Sequence, residues 1–407
     1  MEIRPILSSL LRNKTGALLI AMQVALTLAI VANALYIVRD RMQMSARPSG
    51  VADEANTLAI ITSSLVKDQD EFDAQKRDEQ VLRAVPGVVS ASWSNQSPLG
   101  RSGWNMGLQT TREPGNSDIN GAFYMAPHPV VSTYGLKLVE GRDFTEQDVV
   151  EWDDSATNTF GHTAIVTQAL GKKLYPDSSA VGKVMYVGTG EDAVELRIVG
   201  VVERLQTPWA QASENAESSF LTATRLSSAY SRYIVRTEPG QAERVLRDAE
   251  AALLKAEPRR LIHGKRTILE DRARRYRDDR AVAWMLVTVT ALLLLVTASG
   301  IIGMATLWVN QRRKQIGVRR ALGARRFDIL RYFLVENLLI TTGGIALGLV
   351  LAMGLNQLLV SQLELQRLPL GYLAIGSAVL WVLGLVAVYG PAWRAAGTAP
   401  AIATRSA

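Results

Sequence analysis

The side chains with the strongest chemical character are the cations at 311–331, Gln-Arg-Arg-Lys-Gln-Ile-Gly-Val-Arg-Arg-Ala-Leu-Gly-Ala-Arg-Arg-Phe-Asp-Ile-Leu-Arg. Eight Lys/Arg accompany a single acid, Asp328. A short run of this kind between apolar segments contacts anionic headgroups and holds its loop in the cytoplasm. Other chemistry is poorly represented. No G-x-x-x-x-G-K-[ST] loop occurs in these 407 residues, and Gly182-Lys183 is followed by Val184. His128, His162 and His263 are scattered without metal-ligand spacing. Neither a Ser-His-Asp pattern nor a nucleophile elbow is present, so the reading is of a non-enzyme with no metal or cofactor of its own.

The elements around the cations are apolar. Segments 16–38, 281–309, 333–355 and 368–390 each reach the roughly 20 residues that a bilayer crossing requires. The first is read as an uncleaved anchor, because Leu35-Tyr36-Ile37-Val38 continues the apolar run past the small-x-small site at Ala32-Asn33-Ala34. Trp284 and Trp308 near the ends of the second suggest an aromatic belt. Net charge follows the same division. Residues 39–280 hold 31 basic and 34 acidic side chains, while the overall +7 comes from the segments facing the other side. A basic pI near 9.6 therefore does not indicate nucleic-acid binding. The absence of cysteine excludes disulfides and thiolate metal sites.

These segments predict an α-helical membrane protein with four transmembrane helices and a large α/β domain inserted between the first and second. Residues 1–15 place Ile3, Ile6, Leu7, Leu10 and Leu11 on one face of an interfacial helix. The 39–280 domain shows strand-like runs at 58–61, 88–93, 163–166, 184–187, 196–202 and 233–236, with helices at 67–84 and 238–257. Residues 267–280 read as a charged helix carrying Glu270/Arg274 and Asp271/Arg275 pairs, a stiff stalk at about 262–282 fused to the second span. The basic segment 310–332 divides at Gly323-Ala324. Ile316, Val318, Ala321 and Leu322 could dip into the interface, and Phe327, Leu330 and Leu334 start the third span. Gly344 and Gly348 form a GxxxG pattern, and Gly300 and Gly303 thin the second span, so all four are expected on helix-packing faces. Gln23, Thr27 and Asn33 are expected to bond across helices. Glu336, one turn inside the third span, is expected to pair with the basic loop.

The segment 315–336 resembles the signature of the FtsX/MacB-type permease family of ABC transporters, E-I-G-I-R-R-A-L-G-A-[small]-R-x-D-I-L-x-x-F-L-x-E. The matching residues are Ile316, Gly317, Arg319, Arg320, Ala321, Leu322, Gly323, Ala324, Arg326, Asp328, Ile329, Leu330, Phe333, Leu334 and Glu336. It departs at Gln315 and Arg325, which make it more basic. Gly135-Leu136, Gly141-Arg142-Asp143-Phe144-Thr145-Glu146 and Ile198-Val199-Gly200-Val201-Val202 resemble MacB-type periplasmic domains, whose second lobe would fall at about 130–210. Pro391-Ala392, Arg394-Ala395-Ala396, Pro400-Ala401 and Arg405 resemble the family's C-terminal tail, placing 391–407 in the cytoplasm.

The resemblance implies a bacterial inner-membrane permease with its large domain in the periplasm. It would work with a second permease chain, identical or homologous, on two copies of an ABC ATPase that carries ATP and Mg, in contact with membrane lipids. Arg312, Arg313, Lys314, Ile316, Gly317, Arg319, Arg320, Leu322, Gly323, Ala324, Arg326 and Asp328 would form the ATPase-coupling element. The implied work is mechanotransmission, for efflux of peptides, lipopeptides, toxins or lipoproteins through a periplasmic adaptor and an outer-membrane channel. The alternative is an FtsX-like regulator of cell-wall hydrolases or of a sensor kinase, without transport.

Overall fold

The computed structural model describes residues 14–66, 69–113, 119–153, 160–209, 215–363 and 367–397. All but the last two residues of the expected interfacial helix, and Pro400, Ala401 and Arg405 of the tail motif, lie outside them. The chain divides into two units, Met1–Gln43 with Asp279–Ala407, and Met44–Asp278.

Helix α1 (Lys14–Ala46) carries the first apolar run. In the second unit, β1 (Thr57–Ser64), α2 (Glu71–Arg83) and β2 (Val88–Trp93) come first. There follow β3 (Asn105–Gln109), β4 (Asn120–Met125), α3 (Val130–Tyr134), β5 (Leu138–Gly141) and β6 (Val150–Trp152). Next are β7 (Thr163–Thr167), α4 (Gln168–Leu174), β8 (Val184–Val187), β9 (Val194–Val202), β10 (Ser219–Thr222) and β11 (Thr224–Leu226). Finally β12 (Tyr230–Thr237), α5 (Ala242–Ala256), β13 (Arg260–Thr267) and α6 (Ile268–Arg275) complete the unit.

Strands β13-β1-β12-β2 make one antiparallel sheet, which with α2 and α5 is a β-α-β-β-α-β, ferredoxin-like lobe. Alternation along β1 sends Leu58 and Ile60 into a core with Leu82, Val245 and Leu253, while Ala59 joins Tyr134 and Ile234 on the other face. Beneath α2 lies a buried ionic network. Arg260 donates to both oxygens of Asp78 at 2.6 and 2.7 Å, and Tyr233 donates to Asp78 at 2.7 Å. Beside it, Glu79 accepts from Arg225 at 3.0 Å and from the Trp93 amide at 2.7 Å. These partners explain how two carboxylates occupy the inner face of α2.

The second lobe is inserted between β2 and β12. Its sheet runs β5-β9-β7-β10-β4-β3-β8, and β8 pairs again with β9, closing six strands into a barrel. Closure works because one edge of β9 is shared: residues 194–197 pair with β8 and residues 200–202 with β5, while β7 takes the other edge. The lobe is wider than the expected 130–210, since β3, β4 and β10 belong to it. The GRDFTEQD motif is a structural corner. Gly141 has φ +76, and a Cβ there would sit 2.2 Å from the Val199 carbonyl oxygen. Arg142 donates to Asp148 at 2.7 and 3.0 Å, and Asp148 caps the Thr145 amide at 2.8 Å. Those bonds, Arg142's first, hold the Asp148 carboxyl well below the usual carboxylate range despite partial burial.

The expected stalk is interrupted. Residues 260–267 are strand β13, not helix, and α6 stops at Tyr276, which is buried and leaves the helical conformation. The i,i+4 pairs do not form either. Glu270 accepts from the Thr267 amide at 3.0 Å in a capping box, and Asp271 accepts from Arg266 at 2.9 Å. Capping the helix start satisfies a donor that would otherwise lack a partner, which outweighs an exposed ion pair.

The membrane unit continues with α7 (Arg277–Gln311), α8 (Arg313–Ala321), α9 (Arg326–Leu363) and α10 (Leu370–Ala396). Four helices, α1, α7, α9 and α10, are long and apolar enough to cross a membrane, and α1 is the most buried of them. It touches the other three. Thr27 and Thr297 share a hydrogen bond of 2.8 Å, Gln23 donates to the Val296 carbonyl at 3.1 Å, and Asn33 donates to the Ala352 carbonyl at 3.2 Å. Leu28 and Ala32 meet Gly376 of α10.

A Cβ on Gly344 would lie 2.7 Å from the Ala21 carbonyl oxygen, and one on Gly348 would lie 2.9 Å from that of Ala25. Gly300 faces the Gln23 side chain, but a Cβ on Gly303 would meet nothing within 4 Å among the described residues, so no packing face is found there. Trp308 is buried near Gly16 and does not belong to an exterior belt; Trp284 is exposed. Pro391 lies inside α10, which runs on to Ala396 because Ala392, Ala395 and Ala396 pack into the bundle core. The expected tail at 391–407 therefore begins as helix.

Candidate coupling site

The basic segment folds as a short helix, a tight bend and the start of a long helix. In α8, Ile316 and Gly317 face inward, with Ile316 packed into the bundle core. The bend is a Schellman motif: the Gly323 amide donates to the Arg320 carbonyl at 3.2 Å and the Ala324 amide to the Arg319 carbonyl at 3.0 Å. Gly323 has φ +97, the left-handed conformation this motif requires, and this is why glycine stands there. Asp328 then accepts from the Arg325 amide at 2.9 Å, capping α9. Its carboxylate therefore serves the helix start.

The cations separate into held and free. Arg312, at the α7–α8 junction, donates to both oxygens of Glu336 at 3.0 and 2.8 Å, with Glu336 only 1% exposed. It also lies over the Tyr332 ring, 5.9 Å from the centroid, and Arg319 approaches the same ring at 5.3 Å. Arg320 donates to the Ala324 carbonyl at 3.3 Å. Arg313, Lys314, Arg325, Arg326 and Arg331 are exposed. Between them stand apolar side chains in the open: Leu322 is 83% exposed, Phe327 65% and Val318 53%.

Of the residues the sequence singled out, Arg312 and Asp328 thus hold the element together, Ile316 and Gly317 anchor it, and Gly323 with Ala324 turns it. Arg313, Lys314, Arg319, Leu322 and Arg326 are exposed side chains that take no part in holding the bend. Two participants were missed. Tyr332 ties two arginines together, and its place beside Phe333 on a helix with an inward stripe is its only sequence signal. Phe327, expected at the start of the third span, does begin that helix but is exposed, while Leu330 is buried.

Four long apolar helices, one before and three after a large α/β domain, define a multi-pass membrane protein. The MacB-like periplasmic core domain family matches residues 20–252, more than half of the chain, and the FtsX-like permease C-terminal family matches residues 287–400. The chain therefore belongs to the MacB family of ABC transporter permeases: it is an FtsX-like permease with a MacB-like periplasmic core domain.

Macrolide export ATP-binding/permease protein MacB of Chromobacterium violaceum is 26% identical over 296 residues, 70% of this chain and 43% of that protein. Pyoverdine export ATP-binding/permease protein PvdT of Pseudomonas syringae pv. syringae is 28% identical over 287 residues, 67% of this chain and 41% of that protein. The chain spans about two fifths of the length of these curated relatives. Among solved structures, the periplasmic region of MacB from Actinobacillus actinomycetemcomitans is similar at 13% identity and a TM-score of 0.34, covering 53% of this chain and 90% of that one.

Proposed function

We propose that these residues form the permease part of an ATP-driven exporter, and that α8 with the turn behind it is where an ABC ATPase docks. The observation that carries this reading is the exposure of Val318 and Leu322, one turn apart at the end of α8, and of Phe327 just past the bend, interspersed along the segment with exposed Arg313, Lys314 and Arg326. Apolar side chains interspersed with cationic ones match the anatomy of a protein interface. The two relatives above carry names joining an ATP-binding part to a permease part, which supports the same partner for this chain.

ATP and Mg bind in that ATPase, outside these residues. When it closes, α8 moves as a lever. Its junction with α7 is pinned to α9 through Arg312 and Glu336, so a push on α8 reaches both helices together. At the other end of the bundle, Arg41 of α1 forms an ion pair with Asp279 of α7, linking the two helices that lead to the periplasmic domain. Gln23, Thr27 and Asn33 bond across helices instead of lining a channel, which favours mechanical work in the periplasm over passage through the membrane.

A second permease chain completes the assembly, and a periplasmic adaptor with an outer-membrane channel completes the exit route. The cargo class is a peptide, lipopeptide, toxin or lipoprotein. The match to the MacB-like core over residues 20–252 favours export over a hydrolase or kinase regulator.

Leu322→Glu tests the reading. Losing an interface anchor typically removes about 2 kcal/mol or more, a factor of tens in affinity. The variant should insert and fold normally while losing ATPase binding and its stimulation of ATP turnover. Normal coupling by a folded Leu322→Glu protein would refute the proposal.

A further inference from the structure

In the periplasmic domain a cavity of about 360 Å³ opens between α6 and the loop at 99–101, lined by Arg101, Arg266, Arg274, Arg275 and Arg277 against one acid, Asp271. That acid is already engaged by Arg266 at 2.9 Å. Glu270, which helical spacing would have offered to Arg274, instead caps the helix start through Thr267. Arg277 has only a loose, exposed contact with Asp278 at 3.7 Å. Among the described residues, no carboxylate lies within 4.0 Å of Arg101, Arg274 or Arg275. The Nε of Arg275 is shielded from solvent and lacks a hydrogen-bond partner.

The loop is held in place. Leu99 is buried beside Ile268 and Tyr276, and both Leu99 (φ +65) and Arg101 (φ +76) have left-handed backbone, which side-chain-bearing residues rarely adopt. The Arg101 amide donates to the Pro208 carbonyl at 3.2 Å, so the guanidinium is presented from a fixed corner.

We propose that this cavity binds a phosphate-bearing anion. Five guanidinium groups around one space repel each other, and a single paired acid does not neutralise them. Arginine forks match phosphate oxygens two at a time, and a phosphate group brings more charge and more acceptors than one carboxylate. The volume exceeds that of a bare phosphate ion, which points to a phosphorylated small molecule or a phospholipid headgroup. The site stands apart from ATPase docking, and its readout is binding alone.

The full chain, purified in neutral detergent, is titrated with pyrophosphate and with glycerol 3-phosphate. It is then placed in nanodiscs of phosphatidylcholine with or without phosphatidylglycerol. The parent should bind a soluble probe saturably, more weakly as salt rises. Arg274→Ala with Arg275→Ala should lower affinity at least tenfold. Arg101→Asn, chosen because asparagine tolerates positive φ, should lower it severalfold. Arg247→Ala, on the exposed face of α5, should leave it unchanged. Exclusion of the soluble probe by phosphatidylglycerol assigns the site to lipid-borne phosphate; equal binding in both discs assigns it to a free phosphorylated molecule. The proposal is overturned if the parent binds neither probe, or if Arg101→Asn and the double variant both bind as the parent does.

Discussion

Arg312 and Glu336 show how one residue pair changes the meaning of a basic run. The Glu336 carboxylate is buried in the bundle and takes both its hydrogen bonds from a guanidinium 13% exposed. Removing one member leaves the other charged and desolvated, which typically costs about 3–5 kcal/mol. Glu336→Ala should therefore lower the thermal unfolding temperature of the detergent-solubilised protein sharply. Arg312→Met with Glu336→Leu should recover most of the loss, since an apolar pair leaves no orphan charge. An additive double variant would mean the two do not act as a pair. In the periplasmic domain, Asp148 gives a pH signature. Its folded pKa is depressed by Arg142, so its contribution is fully present above the unfolded value of about 3.9 and is lost as pH falls towards the folded value. Unfolding temperatures measured from pH 6 to pH 2 should show Asp148→Asn less stable at pH 6, with the gap to the parent narrowing below about pH 4. A constant gap would remove Asp148 from the acid response.

At the scale of elements, α1 and α9 meet through glycines. Gly348→Leu places a side chain 2.9 Å from the Ala25 carbonyl oxygen and 3.0 Å from the Ala25 Cα, where backbone cannot yield locally. Overpacking of this kind costs roughly 1–3 kcal/mol. Gly354→Leu on the same helix, where a Cβ would meet nothing within 4 Å among the described residues, is the control for helix propensity. Thermal melts should show Gly348→Leu well below the parent and Gly354→Leu level with it; equal melts would place the glycine face against lipid. Elements with a clear period were legible in the sequence: the apolar spans, β2 and β8, and the α2 and α5 helices within a few residues. Others carried no period. Strand β10 is buried at every position and β5 exposed at every position, so neither alternates. Strand β13 reads as polar because its inward Arg260 is neutralised by Asp78, a partner far away in sequence. The same limit affected the coupling site. Spacing and resemblance singled out the segment as a candidate, but which of its arginines are engaged depends on Glu336 and Tyr332, and side-chain pairing across a bend leaves no periodic trace.

At the scale of the molecule, charge and topology agree. Excess positive charge sits on the segments outside 39–280, and the periplasmic domain, slightly acidic overall, is a ferredoxin-like lobe with a barrel inserted between β2 and β12. In the proposed function, coupling to the ATPase falls to the small exposed face of α8 and the bend that follows it. Because the sequence contains no cysteine, a single one can be introduced at Leu322 and modified with a photo-activated cross-linker. A second protein carrying the label at Ser178, exposed in the barrel lobe, serves as the reference. Illumination in membranes containing the cognate ATPase and ATP should join position 322, and not position 178, to the ATP-binding domain. Adducts from position 322 to lipid alone, with none to the ATP-binding domain, would contradict the assignment of α8 as the coupling element.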